Sequence, residues 1–256
     1  MNDPQKSADT YYQHDLAYVH DQSYSEISIH AAKLLLKRLA QAGFSSGTIV
    51  DLGCGSGKLL QVVSSQGFDT VGVDISPDLI EIAKRNSPDS TFHLGSIWDY
   101  DIPHCVAVTA IGEIITYRFD DRNTNENLSI LFSRIYDKLV ENGIFIFDFL
   151  TPGILGDRDS DCRIVRHNEW IMGVEYHEDK SDHTLIRDIT LFRKIGDGLY
   201  RQSQEIHRVK LIEPEYIVKS LKSIGFRVEM VDNYDGRALR DKHIAMIAHK
   251  TSTSIT

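Results

Sequence analysis

The residues best suited to chemistry form a glycine-rich segment, Asp51-Leu52-Gly53-Cys54-Gly55-Ser56-Gly57, which directly follows a short apolar run. Because glycine has no Cβ, three glycines at alternating positions let a ligand come close to the backbone N–H groups. A phosphate-binding P-loop needs Ser or Thr after Gly-Lys, whereas Lys58 is followed by Leu59. A dinucleotide loop needs a third glycine where Lys58 stands. The spacing therefore disfavours phosphate and dinucleotide ligands, whereas the backbone amides and Asp51 could serve a ligand with a carboxylate and an ammonium.

Two further segments carry polar groups at the ends of predicted strands. Asp74 ends an apolar run, and a carboxylate there accepts hydrogen bonds from ribose hydroxyls. Gly95-Ser96-Ile97 follows the next strand, where an adenine would lie against Ile75 and Ile97. NAD sites share the strand-end acid, and a lone Asp or glycine turn is often only a cap or a turn. The three segments in this order nevertheless indicate a nucleoside cofactor.

Strands that alternate with helices must position these segments. Helical spacing of apolar residues predicts a helix over 26–42, and further helices separate short apolar runs. This alternation predicts an α/β fold with a parallel sheet covered on both faces, and ligands of such sheets bind beyond the carboxyl ends of the strands. The predicted strands of this sheet are 48–50, 70–74, 91–94, 105–110, 144–149, 227–231 and 244–248.

The alternation stops after Thr151-Pro152-Gly153, since residues 162–212 lack helical periodicity. Four runs there have strand character, namely 163–165, 170–174, 185–192 and 206–212. They predict a small antiparallel sheet inserted after the fifth strand. We accordingly divide the chain into an N-terminal leader or lid (1–25), a core (26–155 and 213–256) and an inserted β subdomain (156–212).

The motifs resemble those of class I S-adenosylmethionine (AdoMet)-dependent methyltransferases. Val50 to Gly57 resembles the first motif of that family, Val71 to Ser76 the second, and Leu94 to Asp99 and Val106 to Tyr117 the third and fourth strand-end segments. The resemblance implies AdoMet as the cofactor and a Rossmann-like seven-stranded sheet of order 3-2-1-4-5-7-6 with the last strand antiparallel. DNA and protein-amide methyltransferases carry Asn/Asp-Pro-Pro-aromatic after strand four, and the absence of that motif here favours the small-molecule branch.

The resemblance also implies roles for individual residues. It places Gly53 and Gly55 along the methionine part of AdoMet and Asp74 on the ribose, and we add two leader tyrosines that could fold over the cofactor. The expected cofactor-binding residues are Tyr12, Tyr24, Asp51, Gly53, Cys54, Gly55, Asp74, Ile75, Gly95, Ser96, Ile97, Ala110 and Ile111.

Methyl transfer is an in-line displacement in which a protein mainly supplies alignment and desolvation. A general base helps only where the nucleophile arrives protonated. The candidate catalytic residues are Glu113, which follows strand four, and His207, which lies on the last inserted strand. Each could instead be an ordinary surface or sheet residue. No spacing of histidines or cysteines indicates a metal site.

The overall composition narrows the possible partners. A net charge of -9 disfavours nucleic acid, and no apolar run approaches the roughly 18 residues that span a bilayer. The polar start and the three dispersed cysteines predict a cytoplasmic protein. We expect an enzyme that methylates an O or N atom of a small molecule, acting as a monomer or homodimer. The alternatives are a non-catalytic AdoMet-binding regulatory domain and, less favoured, an NAD-linked oxidoreductase.

Overall fold

The computed structural model describes residues 11–120 and 122–251. Its first half has the predicted alternation, in the order α1 (His14–Ser23), α2 (Glu26–Gln41), β1 (Thr48–Leu52), α3 (Lys58–Ser64), β2 (Asp69–Asp74), α4 (Pro77–Asn86), β3 (Thr91–Leu94), β4 (Cys105–Ala110), α5 (Asn125–Lys138) and β5 (Leu139–Leu150). The second half contains β6 (Ser160–Arg166), β7 (Trp170–Asp179), β8 (Thr184–Gly196), β9 (Leu199–Lys210), α6 (Pro214–Ile224), β10 (Phe226–Val231), β11 (Asn233–Tyr234), β12 (Arg237–Ala238) and β13 (His243–Lys250).

The seven-stranded sheet has the order β3-β2-β1-β4-β5-β13-β10. Neighbouring strands from β3 to β5 pair in parallel, whereas β13 is antiparallel to both β5 and β10. All of β4 and the apolar half of β5 are buried, because helices cover both faces of the sheet. Since β10 and β13 are the sixth and seventh strands of this sheet along the chain, the predicted order 3-2-1-4-5-7-6 with its last strand reversed is confirmed.

The inserted strands β6 to β9 form a separate four-stranded antiparallel sheet in chain order, as predicted. They extend beyond the predicted apolar runs because antiparallel partners continue to hydrogen-bond through polar residues. One consequence lies in the segment 177–182. Its first three residues end β7, and Glu178 is buried and accepts the N–H groups of Gly153 and Leu155.

The leader contains helix α1, which the periodicity of the sequence does not indicate. Long-range contacts hold it in place. Buried Asp15 accepts hydrogen bonds from Arg193 (3.0 Å) and Arg201 (2.6 Å) of the inserted sheet. Asp21, at the other end of the helix, accepts one from Asn86 (2.9 Å). These partners lie far along the chain, so local sequence patterns could not reveal them.

Two predicted absences can be examined in the part of the chain that the structure describes. There, no helix is both long enough and apolar enough to cross a membrane. Over the same residues, His, Cys, Asp and Glu side chains form no group of three or more that could hold a metal ion.

Candidate active site

A cavity opens where β1 to β4 end, and the glycine loop forms one of its walls. Gly53, Gly55 and Gly57 all have positive φ angles, of 72°, 53° and 75°. A Cβ on Gly53 would lie 2.5 Å from the side chain of Ile114, so this position requires glycine for both its backbone angle and its contacts. The loop is fixed to β2 by a hydrogen bond from Gly53 N to Val73 O (2.7 Å).

Two buried carboxylates face this cavity. Asp74 accepts hydrogen bonds from Gly55 N (2.8 Å) and Ser76 N (2.9 Å), and Asp51 accepts one from the Thr109 hydroxyl (2.6 Å). Burial raises the pKa of both acids, and that of Asp51 reaches about 7, with the nearby Asp74 charge adding to the effect of burial. Both acids are therefore suited to a ligand that supplies an ammonium or hydroxyl donors. The ammonium and ribose of AdoMet meet this requirement.

Apolar side chains also line this cavity, among them Ile75, Ile97, Leu79, Trp98 and Phe119. At its edge the Ser96 hydroxyl donates to Asp120 (3.1 Å), whose pKa is lowered mainly by its hydrogen bonds with Arg122. A flat heteroaromatic ring would find an apolar surface here with a carboxylate beside it.

Tyr12 of the leader closes the cavity from above. Its carbonyl accepts a hydrogen bond from the Ser76 hydroxyl (2.9 Å), and its backbone N–H donates to Glu205 (2.7 Å). His20 of α1 lies edge-on to the Tyr12 ring, with centroids 5.2 Å apart. Burial lowers the pKa of His20 to about 4, so its ring is neutral near pH 7. Its Nδ1 atom is buried without a hydrogen-bond partner among the described residues, and the side chain lines the cavity.

A second cavity lies beneath the inserted sheet. Alternate residues of β6, β7 and β8 line it, as expected where one face of a sheet covers a pocket. From β7 to β9 these residues are Met172, Val174, Tyr176, Arg187, Ile189 and His207. The two cavities share the lining residues Tyr12, His20, Ile27, Gly112 and Tyr117. A group bound in the first cavity can therefore reach one bound in the second.

Two pairs of polar side chains involve the candidate catalytic residues. Arg187 donates to Glu113 (2.7 Å) and lies 3.4 Å from the Tyr117 hydroxyl, which is 2.8 Å from the Tyr12 hydroxyl. His207 Nε2 lies 2.9 Å from a carboxylate oxygen of Glu205, and both side chains are buried. Glu205 thus connects His207 to the leader, because it also accepts the N–H of Tyr12.

Asp148, at the end of β5, fixes the backbone between the two cavities. It accepts hydrogen bonds from Gly112 N (3.0 Å), from Glu113 N and from the Tyr234 hydroxyl (2.7 Å), and His243 Nε2 lies 3.0 Å away. Burial alone would raise the pKa of Asp148, but the charge of His243 and these donors outweigh it and lower the pKa. Burial would lower the pKa of His243, but Asp148 raises it.

The structure brings most of the expected residues together. All the expected cofactor residues except Tyr24 and Ala110 line the first cavity. Tyr24 lines the second cavity alone, and Ala110 is fully buried in β4 and lines neither. Glu113 and His207 both line the second cavity.

Sequence reasoning missed several residues of the site. They are His20, Asp148, Arg187, Glu205 and His243. Only Asp148 left a signal, because it is a charged residue within the otherwise apolar run 144–149. The others lie outside the motifs and reach the site only through folding.

Comparison with known proteins agrees with this geometry. The dTDP-3-amino-3,4,6-trideoxy-alpha-D-glucopyranose N,N-dimethyltransferase of Streptomyces venezuelae is 22% identical over 229 residues, which cover 88% of this chain and 92% of that enzyme. A solved S-adenosylmethionine-dependent methyltransferase of Clostridium acetobutylicum superposes with a TM-score of 0.78 at 18% identity, covering 93% and 98% of the two chains. AdoMet-bound CalS10, an amino pentose methyltransferase of Micromonospora echinaspora, gives 0.71 at 16% identity, covering 91% and 97%.

A family model described as the methyltransferase domain matches residues 24–231. The match spans the glycine loop, six of the seven strands of the main sheet and the inserted sheet, and therefore most of the chain. The sequence-based prediction of a methyltransferase is confirmed, and the chain belongs to the methyltransferase domain family.

Proposed function

We propose that this methyltransferase transfers the methyl group of AdoMet to an N or O atom of a small molecule. The observation that carries the proposal is the junction of the two cavities at Tyr12, His20, Ile27, Gly112 and Tyr117. AdoMet is the cofactor, as the sequence predicts. The amino-sugar and amino-pentose methyltransferases among the relatives support a small acceptor.

When bound, AdoMet supplies a methyl group on a positively charged sulfur. Asp51 would hold the ammonium, and Asp74 the ribose hydroxyls. The N–H groups of the glycine loop would face the carboxylate, and Ile75 and Ile97 the adenine. Gly112 belongs to both cavities, so the reacting groups would meet beside it.

His207 is the best candidate to accept a proton from the acceptor. If its Nε2–H donates to Glu205, its Nδ1 keeps a free lone pair, so Glu205 selects the tautomer that can act as a base. Glu113 is less suited, because its carboxylate already accepts a hydrogen bond from Arg187 at 2.7 Å. We assign Glu113 the role of positioning Arg187.

Tyr12 and α1 would act as a lid. Their hydrogen bonds with Ser76, Glu205 and Arg201 connect the leader to the inserted sheet and to the first cavity, which is called the cofactor cavity below. A closed lid would exclude water while the methyl group is transferred. We also propose the division into a leader (1–25), a core (26–155 and 213–256) and an inserted β subdomain (156–212), which these contacts support. We also propose that the acceptor is not a nucleic acid and that the chain acts as a monomer or homodimer.

Calorimetry with AdoMet and with NAD tests the cofactor, and transfer from methyl-labelled AdoMet into small-molecule metabolite extracts tests the reaction. We expect AdoMet alone to bind and label to appear in a small molecule. A folded protein that does not bind AdoMet would contradict the proposal. Binding without transfer to any small molecule would instead support the non-catalytic regulatory domain.

A further inference from the structure

The acceptor cavity, meaning the second cavity beneath the inserted sheet, has an unusual charge for this protein. Four arginines from separate elements line it in a chain whose net charge is -9. They are Arg163 of β6, Arg187 of β8, Arg237 of β12 and Arg240 of the following segment. Only two acidic residues, Glu26 and Glu113, line the same described cavity.

Two of the arginines are neutralised by those acids. Arg187 pairs with Glu113 at 2.7 Å, and Arg237 pairs with Glu26 at 3.1 Å. Arg163 lies 5.9 Å from the centre of the Tyr176 ring. Among the described residues, no carboxylate lies within 4.0 Å of the Arg163 or Arg240 guanidinium. These two exposed arginines therefore leave two positive charges uncompensated at the acceptor cavity.

Their position separates them from the transfer point. Arg163 and Arg240 line the acceptor cavity but not the cofactor cavity, whereas Tyr12 and Tyr117 line both. Apolar side chains complete the acceptor cavity, among them Met172, Val174 and Leu239. An acceptor that fits this arrangement has its nucleophilic atom near the tyrosines, an apolar or neutral body, and a negative charge toward the arginines.

We propose that the methyl acceptor carries an anionic group, a phosphate or a carboxylate, and that Arg163 and Arg240 bind it. This inference rests on the proposed function, because it takes the second cavity as the acceptor site. Guanidinium groups bind both anions through charge-assisted, often bidentate, hydrogen bonds. In an acidic protein such binding needs a local basic cluster, which these residues provide.

The test uses the full chain saturated with S-adenosylhomocysteine. Inorganic pyrophosphate and malonate are titrated separately by calorimetry, so that the two arms distinguish a phosphate site from a carboxylate site. The variant R163Q/R240Q removes both charges. The matched control R166Q/R208Q removes two exposed arginines that follow cavity-lining positions in β6 and β9 and do not line the cavity themselves.

We expect one of the two anions to bind the wild type and the control alike, with a Kd at least ten times higher for R163Q/R240Q. S-adenosylhomocysteine should bind all three proteins equally, which also shows that the variants fold. If neither anion binds the wild type, or if R163Q/R240Q binds it as tightly as the wild type, the inference is overturned while the proposed function stands. If the wild type does not bind S-adenosylhomocysteine, the proposed function itself fails.

Discussion

The two cavities are built in different ways. Apart from the leader and the start of α2, the cofactor cavity is lined by residues between 51 and 120, mostly where parallel strands end. The acceptor cavity draws on the leader, the loop after β4, the inserted sheet and the segment before β13. Under the proposed assignment, the residues for the cofactor are therefore close together in the sequence, whereas those for the acceptor come together only when distant segments fold.

The cavities also differ in charge. Acidic side chains, Asp51, Asp74 and Asp120, line the cofactor cavity, with Lys58 as a basic neighbour. The acceptor cavity is instead lined by four arginines and two glutamates. The acidic side suits a cofactor with an ammonium and a sulfonium, and the basic side suits an anionic acceptor. Opposite charges would thus direct the two substrates to opposite sides of the junction.

The largest expected effect tests the local construction of the cofactor cavity. In Gly53→Ala the new Cβ meets Ile114 at 2.5 Å on a backbone of φ 72°. We expect AdoMet affinity to fall at least about 100-fold, since overpacking and backbone strain combine. Gly67→Ala is the matched control: its φ is 87° with nothing within 4 Å, so it should cost only about 1 kcal/mol of stability. Equal AdoMet affinities in calorimetry would contradict the assignment.

A second variant tests whether the two cavities act separately. His207→Gln should lower the single-turnover rate of transfer about 100-fold, because it removes the proposed proton acceptor. The Kd of AdoMet should stay unchanged, since His207 does not line the cofactor cavity. His183→Gln, in an exposed turn of the inserted sheet, is the control and should transfer at the wild-type rate. A loss of AdoMet binding in His207→Gln would show that the cavities are coupled.

Asp74→Ala should weaken AdoMet binding by about 2 kcal/mol, or roughly 30-fold in Kd, because ribose hydroxyls lose a charged acceptor. Asp69→Ala removes an exposed acid at the other end of the same strand and should bind AdoMet normally. Calorimetry on both variants distinguishes a ribose contact from a general effect of charge. Unchanged affinity in Asp74→Ala would rule out the ribose role.

The smallest effect concerns pH. Burial raises the pKa of Asp51 to about 7, so in the free protein this acid becomes protonated as the pH falls below 7. The AdoMet ammonium favours the carboxylate, so affinity should decrease by up to about tenfold per pH unit below 7 and level off above it. Asp51→Asn keeps an oxygen to accept from Thr109 and should abolish this slope. A slope that persists in the variant would assign the titration to another group.

Sequence reasoning predicted the sheet and most of the cofactor cavity for one physical reason. The glycine loop, Asp74 and Ser96 lie at or directly after the ends of strands, and the apolar runs of these strands are visible in the sequence. Tyr24 shows the limit of this reasoning, because proximity in sequence to Tyr12 did not place it in the same cavity. Helix α1 was missed because the Asp15 contacts that hold it lie at Arg193 and Arg201.

The sequence by itself predicted the strands of the main sheet and the type of ligand that the glycine spacing admits, because these depend on neighbouring residues, and the resemblance to class I methyltransferases added the sheet order. Tertiary structure alone decided which side chains line the second cavity. The Asp148–His243 contact joins β5 to β13, and Arg163 of the inserted sheet and Arg240 of the segment before β13 line the same cavity. Local sequence patterns could not reveal either arrangement, because each brings together residues that are remote in the chain.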